Sequence, residues 1–205
     1  MTPTSGLLAK ALRTTVLRGV DIAAARGEIL ALRGASGSGK SALLRAIADL
    51  DPNEGEVWLD GAARSAMAGA SWRRRVRFIA AETAWWRETV GEHFRTPATA
   101  AEAAVDLGLD PRCMAWEVAR LSTGEKQRLA LIRALEDSPE VLLLDEPTAA
   151  LDEAATAAVE RLIADRRDDG AAILIVTHDD AQAERLCDRR LSIADGRLQP
   201  EDGAA

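Results

Sequence analysis

The feature that most restricts this chain is an eight-residue loop, Gly34-Ala35-Ser36-Gly37-Ser38-Gly39-Lys40-Ser41. It fits G-x-x-x-x-G-K-[ST] and stands between the apolar run EILALR (28–33) and a helical stretch, 41–49, with Leu43, Leu44 and Ile47 on one face. Glycines let the backbone curl so that successive N–H groups face an anion. The start of the following helix adds the positive end of its dipole. Lys40 is expected to reach the β- and γ-phosphates of a nucleotide, and Ser41 to ligate Mg²⁺.

Around this loop, short apolar runs alternate with helical ones, which points to an α/β fold. Residues 141–144 (VLLL) and 172–176 (AILIV) are wholly apolar, like strands covered on both faces in a parallel sheet. Further strands are expected at 76–80 and 190–194. Residues 55–60 read as an edge strand ending in an Asp60-Gly61 turn. Helices are expected at 98–107, 125–135, 153–167 and 180–187. The stretch 82–137 is mostly helical and reads as a subdomain inserted into a parallel-sheet core within a single domain, 1–205. There is no internal repeat, no flexible linker, and no low-complexity tail beyond 201–205.

Composition narrows the function. Hydrophobic residues make up 47% and charged residues 29%, enough to build a core. No apolar run approaches the length a bilayer needs. The start, MTPTSGLLAKALRTT, has no apolar region followed by a small-residue cleavage site, which argues against secretion. Cys113 and Cys187 are too few for a disulfide framework or a zinc site, so a cytoplasmic setting is expected. A net charge of -7 argues against direct nucleic-acid binding, and Arg73, Arg74 and Arg75 read as a solvated face.

Two further clusters suit phosphate chemistry. Asp145 and Glu146 end the apolar strand at 141–144, where open α/β sheets bind their ligands. Asp145 suits Mg²⁺. Glu146, on the alternate side, suits a general base for an attacking water. His178 ends the next apolar strand and either meets the γ-phosphate, orients the water or is structural. Leu121-Ser122-Thr123-Gly124-Glu125 stands directly before a helix. Ser122 is a good N-cap there, and Thr123 and Gly124 leave N–H groups free for an anion or serve as a cap alone.

In their order, the phosphate loop, LSTGE, VLLLDE and a histidine after a strand resemble the ATP-binding cassette (ABC) ATPase family. LSTGE is similar to the family's LSGGQ signature, with Thr123 and Glu125 as departures. Ala150-Leu151-Asp152 resembles its D-loop, and His178 its switch histidine. EKQRLALIRAL, PEVLLLDEPTAALDE and ILIVTHDD look most like small stand-alone ATPase subunits of two-component bacterial exporters.

The resemblance implies a P-loop NTPase of RecA-like type, with a mostly parallel sheet, a small antiparallel region and the helical subdomain. It implies ATP and Mg²⁺ as cofactors. It also implies a sandwich dimer in which the signature of one copy, with Ser122, Thr123 and Gly124, closes over ATP held by the loop of the other. The partner would be a membrane permease subunit, with the chain peripheral on the inner face of the membrane.

Two departures bear on turnover. The place of the family's glutamine after the strand at 76–80 falls on Ala81, with Glu82 beside it. Either Glu82 substitutes, or that contact is missing. The chain has no Tyr, and no aromatic precedes Trp58 to stack on adenine. The first strand of the family is poorly represented in residues 1–18. Trp85 and Trp86 either anchor a coupling helix of the permease or fill the helical core; Trp116, His93 and both cysteines read as structural. The rival functions are a soluble ABC ATPase outside transport, and a nucleotide-gated module with impaired hydrolysis.

Overall fold

The computed structural model describes residues 5–200; the tail at 201–205 lies outside them. Along the chain run β1 (Gly6–Arg13), β2 (Arg18–Ala25), β3 (Ile29–Arg33), α1 (Lys40–Ile47), β4 (Glu54–Leu59), β5 (Ala62–Ala63), α2 (Gly69–Arg75) and β6 (Val76–Ile79). There follow α3 (Pro97–Asp106), α4 (Thr123–Leu135), β7 (Val141–Asp145), α5 (Glu153–Asp168), β8 (Ala172–Val176), α6 (Asp180–Leu186), β9 (Arg189–Ala194) and β10 (Arg197–Pro200).

Two sheets result. The larger has the order β10-β9-β3-β8-β7-β6, parallel throughout except for the β9–β10 hairpin. The smaller is antiparallel, in the order β2-β1-β4-β5. Side chains alternate across each parallel strand, so the apolar runs feed two cores at once. Leu142, Leu144, Ile173 and Ile175 face one way, into a cluster shared with α3, α4 and α5. Val141, Leu143, Leu174 and Val176 face the other, toward α1, Trp72 and the antiparallel sheet. Ala100, Ala104, Leu129 and Ile132, from the helices between β6 and β7, join the first cluster.

The antiparallel sheet corrects one expectation. Residues 1–18 do contain a strand, β1, pairing with both β2 and β4. Its buried side chains are Leu7, Ala9 and Leu12, a period of two that breaks where the register shifts between Ala9 and Leu12. Ala11 sits there with φ 52. A bulge adds one residue and swaps which parity faces the core, so the pattern disappears from the sequence. β4 is an edge over most of its length, meeting β5 only at Trp58 and Leu59.

Ion pairs join the layers. Arg26 bridges Asp60 and Glu140, and Glu140 also holds Arg75. Arg73 pairs with Asp49, so two of the three consecutive arginines are tied into the fold rather than freely solvated. Both cysteines are unpaired. Burial raises the Cys113 thiol and pushes Cys187 up to about 12, consistent with unreactive, structural thiols.

Candidate functional site

The phosphate loop leaves β3 at the carboxyl edge of the parallel sheet. Gly34, Gly37 and Gly39 have φ of 139, 77 and 110, values that favour glycine. A Cβ at Gly34 would collide with the Ile193 carbonyl oxygen, so only glycine lets the loop pass so close to β9. Gly39 caps α1 without a side-chain hydrogen bond, and no acid lies in the first turn. The helix N-terminus thus faces outward uncompensated, as an anion site requires.

Lys40 is 7% exposed. Its Nζ donates to the carbonyls of Gly34 at 2.7 Å and Ala35 at 3.0 Å, closing the loop on itself. Ala35, Ser36, Gly37 and Ser41 are exposed, so no other part of the described chain plugs the loop. Ser38 Oγ is buried without a partner.

Asp145 is buried at the end of β7. Burial is the main force raising its pKa; a hydrogen bond from Ser41 opposes it, the Glu146 charge adds to it, and Lys40 lowers it. Those causes bring Lys40, Ser41 and Asp145 into one cluster. A hydroxyl beside a carboxylate is a pair of hard oxygen donors that suits Mg²⁺.

Glu146 reaches its place by a different route from strand alternation. β7 ends at Asp145, and Glu146 takes φ 52. It is this left-handed turn that re-aims the side chain. The Glu146 N–H donates to Val176 O at 3.0 Å, and the carboxylate Oε1 lies 3.2 Å from His178 Nε2. Arg33, at the end of β3, is paired with Asp180 in the first turn of α6, which places the strand before the phosphate loop against the segment carrying His178.

Ser122 is exposed, with Thr123, at the start of α4. It forms a reciprocal cap with Glu125: Glu125 N donates to Ser122 Oγ at 3.3 Å, and Ser122 N and Oγ donate to Glu125 Oε2 at 2.8 Å each. Ser122, Thr123 and Gly124 line a hollow of about 340 Å³ with Arg128 and residues 150–152. Among the described residues, no hydrogen bond or ion pair joins 122–124 to the phosphate loop. The phosphate loop and the start of α4 are therefore separate exposed segments of the chain, and at α4 the Glu125 carboxylate already takes up the Ser122 N–H and hydroxyl.

Ala81 and Glu82 are both exposed after β6. Glu82 lines a hollow of about 420 Å³ with Arg45, Arg77, Trp86 and Arg133, rather than the cluster at Ser41 and Asp145. The paired tryptophans divide their tasks. Trp85 packs against the helical core, while Trp86 is 65% exposed. Arg133 lies 4.7 and 4.8 Å over their rings. His93 Nε2 accepts from the N–H groups of Trp86 and Arg87, both at 3.0 Å, so its Nδ1–H is left for Thr89 O. This is the structural role expected of His93.

Sequence reasoning missed Gln127. It is 3% exposed, and its Nε2 donates to the Glu146 carbonyl at 2.7 Å. Its signal was a polar residue in helical phase with the buried Ala130, Leu131 and Ala134.

The family described as "ABC transporter" matches residues 17–149. The chain is 44% identical over 188 residues to an aliphatic sulfonates import ATP-binding protein of Nocardia farcinica, covering 89% of this chain and 72% of that protein. It is 39% identical over 199 residues to an Fe(3+) ions import ATP-binding protein of Rhodococcus jostii, covering 90% of this chain and 57% of that one. A solved ATP-binding subunit of an ABC transporter superposes with a TM-score of 0.85 at 28% identity, over 97% of this chain and 91% of its own. The ATP-binding cassette MJ0796, in a dimeric post-hydrolysis state bound to ADP and Pi, superposes with a TM-score of 0.78 at 25% identity, over 97% of this chain and 99% of its own. The two relatives carry import names, so they lend no support to the exporter likeness. Motif order, fold and relatives agree: the chain belongs to the ABC transporter family, as an ATP-binding and ATP-hydrolysing subunit that works with separate membrane subunits.

Proposed function

We propose that two copies of this chain clasp two ATP molecules, the loop at 34–41 of each facing residues 122–124 of the other, and that closure and release move a membrane permease. The observation that carries this is the separation of these two segments within one chain. Neither half encloses a triphosphate alone. Self-association that completes both halves at once is isologous and closed. The dimeric cassette among the structural relatives supports this reading. Among the described residues no helix is long and apolar enough to cross a membrane; in this reading the membrane-spanning part belongs to the permease. The import names of the relatives favour uptake, with the cargo chosen by the permease.

In this arrangement Lys40 meets the β- and γ-phosphate oxygens, joined by N–H groups of the loop and of α1. Ser41 and Asp145 would hold Mg²⁺. Phosphate oxygens and water would supply the remaining ligands. When bound, the ion neutralises phosphate charge. Glu146 accepts a proton as water attacks the γ-phosphorus and the bond to ADP breaks. His178, in contact with Glu146, holds the carboxylate and the γ-phosphate in register. Ser122 and the first N–H groups of α4 in the second copy receive the γ-phosphate from the far side.

Lys40→Ala is expected to weaken ATP binding at least about tenfold, since hydrogen bonds to charged groups contribute roughly 1.5–3 kcal/mol, and to abolish ATP-driven dimerisation in light scattering. Turnover per protomer should rise with protein concentration. A specific activity constant down to the highest dilution would rule out the composite site.

The base is met by an aliphatic side chain. Val16 is 44% exposed and adjoins the phosphate loop, with its Cγ2 3.7 Å from where a Gly39 Cβ would lie. The turn that presents it is held by Thr14 Oγ1, which accepts from Val16 N and Leu17 N. Base–aromatic stacking contributes about 1–3 kcal/mol. Val16→Tyr should therefore tighten ATP binding about tenfold in a fluorescent-nucleotide titration. No change would place the base elsewhere.

A further inference from the structure

From the contact missed in the sequence we infer that Gln127 is a positioning residue for ATP hydrolysis. It fastens the backbone of Glu146 to the helix that begins at Ser122, so that the attitude of the carboxylate follows that helix. The inference rests on the reading of Glu146 as the group that activates water.

Three observations carry it. First, Glu146 has φ 52, a conformation that a non-glycine residue keeps only when its surroundings impose it. Both of its backbone polar groups are held: N–H by Val176 O at 3.0 Å, and C=O by Gln127 Nε2 at 2.7 Å. A further donor to that carbonyl, Ala149 N, is long at 3.4 Å. The Gln127 amide is the strong outside restraint on the carbonyl.

Second, Gln127 is placed at a cost to packing. It is nearly fully buried, and its Oε1 has no partner. A leucine or methionine would fill the same volume without an orphaned acceptor, and an unpaired buried polar group calls for a reason. The bond to Glu146 is that reason.

Third, a second contact from the same helix face meets the same loop. Gly124 and Gln127 are three apart and share a face of α4. A Cβ at Gly124 would lie 2.9 Å from Ala150 O and 3.1 Å from Leu151 Cδ2, so α4 presses directly on the segment that Glu146 opens. One end of α4 offers N–H groups to a γ-phosphate, and one turn further on it grips the carboxylate's backbone. Docking of phosphate on α4 and the poise of Glu146 in the same chain are thereby mechanically joined.

The test is Gln127→Met, which keeps length and bulk and removes the donor, with Gln127→Leu alongside should the first variant fail to fold. Steady-state phosphate release is expected to show kcat lowered about tenfold with KM changed less than about twofold, because nucleotide binding at 34–41 is untouched. The same substitution is then placed on Glu146→Gln. Residual turnover of the double variant should equal that of Glu146→Gln alone, since Gln127 acts only through Glu146. Unchanged kcat overturns the inference. So does a further loss in the double variant, or a joint change of kcat and KM, which marks a general structural role. If Glu146→Gln itself turns over like wild type, the reading of the carboxylate fails, and the inference falls with it for that separate and visible reason.

Discussion

Glu146→Gln is expected to lower ATP turnover about a hundredfold to ten-thousandfold, the usual range for losing a positioned general base. It should also trap ATP-bound dimers. The amide matches the carboxylate in shape, so the left-handed turn at Glu146, its bond to Val176 O and its bond from Gln127 remain. The proton acceptor alone is lost. In the proposed arrangement binding rests on Lys40, Ser41 and the loop N–H groups, which the change does not touch. Phosphate release and size-exclusion chromatography with ATP read the two effects separately. Wild-type turnover in the variant would remove Glu146 from the chemistry. Equal background turnover in both proteins, with ATP still bound, would instead establish a nucleotide-gated module, the rival raised by Ala81.

The second large effect concerns stability. Trp72 is 0% exposed and packs within the core on the α1 side of the sheet. Its Nε1 donates to Ile47 O at 2.9 Å, a carbonyl in the last turn of α1 with no helical partner of its own. Trp72→Ala leaves a large cavity and strips that carbonyl, and such truncations cost about 3–5 kcal/mol. Against a total of roughly 5–15 kcal/mol for a natural domain, this is a substantial fraction. The thermal midpoint should fall by about 6–20 °C, at about 2–4 °C per kcal/mol for this chain length. Trp72→Phe keeps most of the volume and loses the hydrogen bond, so it should cost less than half as much. Denaturant melts of both variants check the pair. A loss below about 1 kcal/mol for alanine would mean that this core is not packed as described.

The parallel sheet was largely legible because β3, β7 and β8 are buried on both faces. Such strands need no alternation, so continuous apolar runs bounded by turns identify them. The small sheet was harder to read. A bulge at Ala11 reverses the inward parity halfway along β1, and in β2 the inward Val20, Ile22 and Ala24 alternate with Gly19, Asp21, Ala23 and Ala25, small residues that blur the contrast between faces. The phosphate loop, Asp145 and the Ser122 cap stand where their spacing places them, because each depends on short-range geometry. Two features depend on tertiary context and escaped. Alternation along β7 could not foresee that the strand stops before Glu146 and that the backbone there turns left-handed. Gln127, a polar residue on an amphipathic helix, looks solvent-facing until its phase with Ala130 and Leu131 is counted.

The lysine in the loop has a berth within its own chain. Its ammonium rests on two carbonyl oxygens, at Gly34 and Ala35. A charge with somewhere to return does not stand bare when its anion departs, and an unpaired charge in a closed site is costly. On the proposed reading, nucleotide entry and departure at this loop exchange one set of acceptors for another. Under that reading, such an exchange lets the subunit release its spent nucleotide without first unravelling the loop.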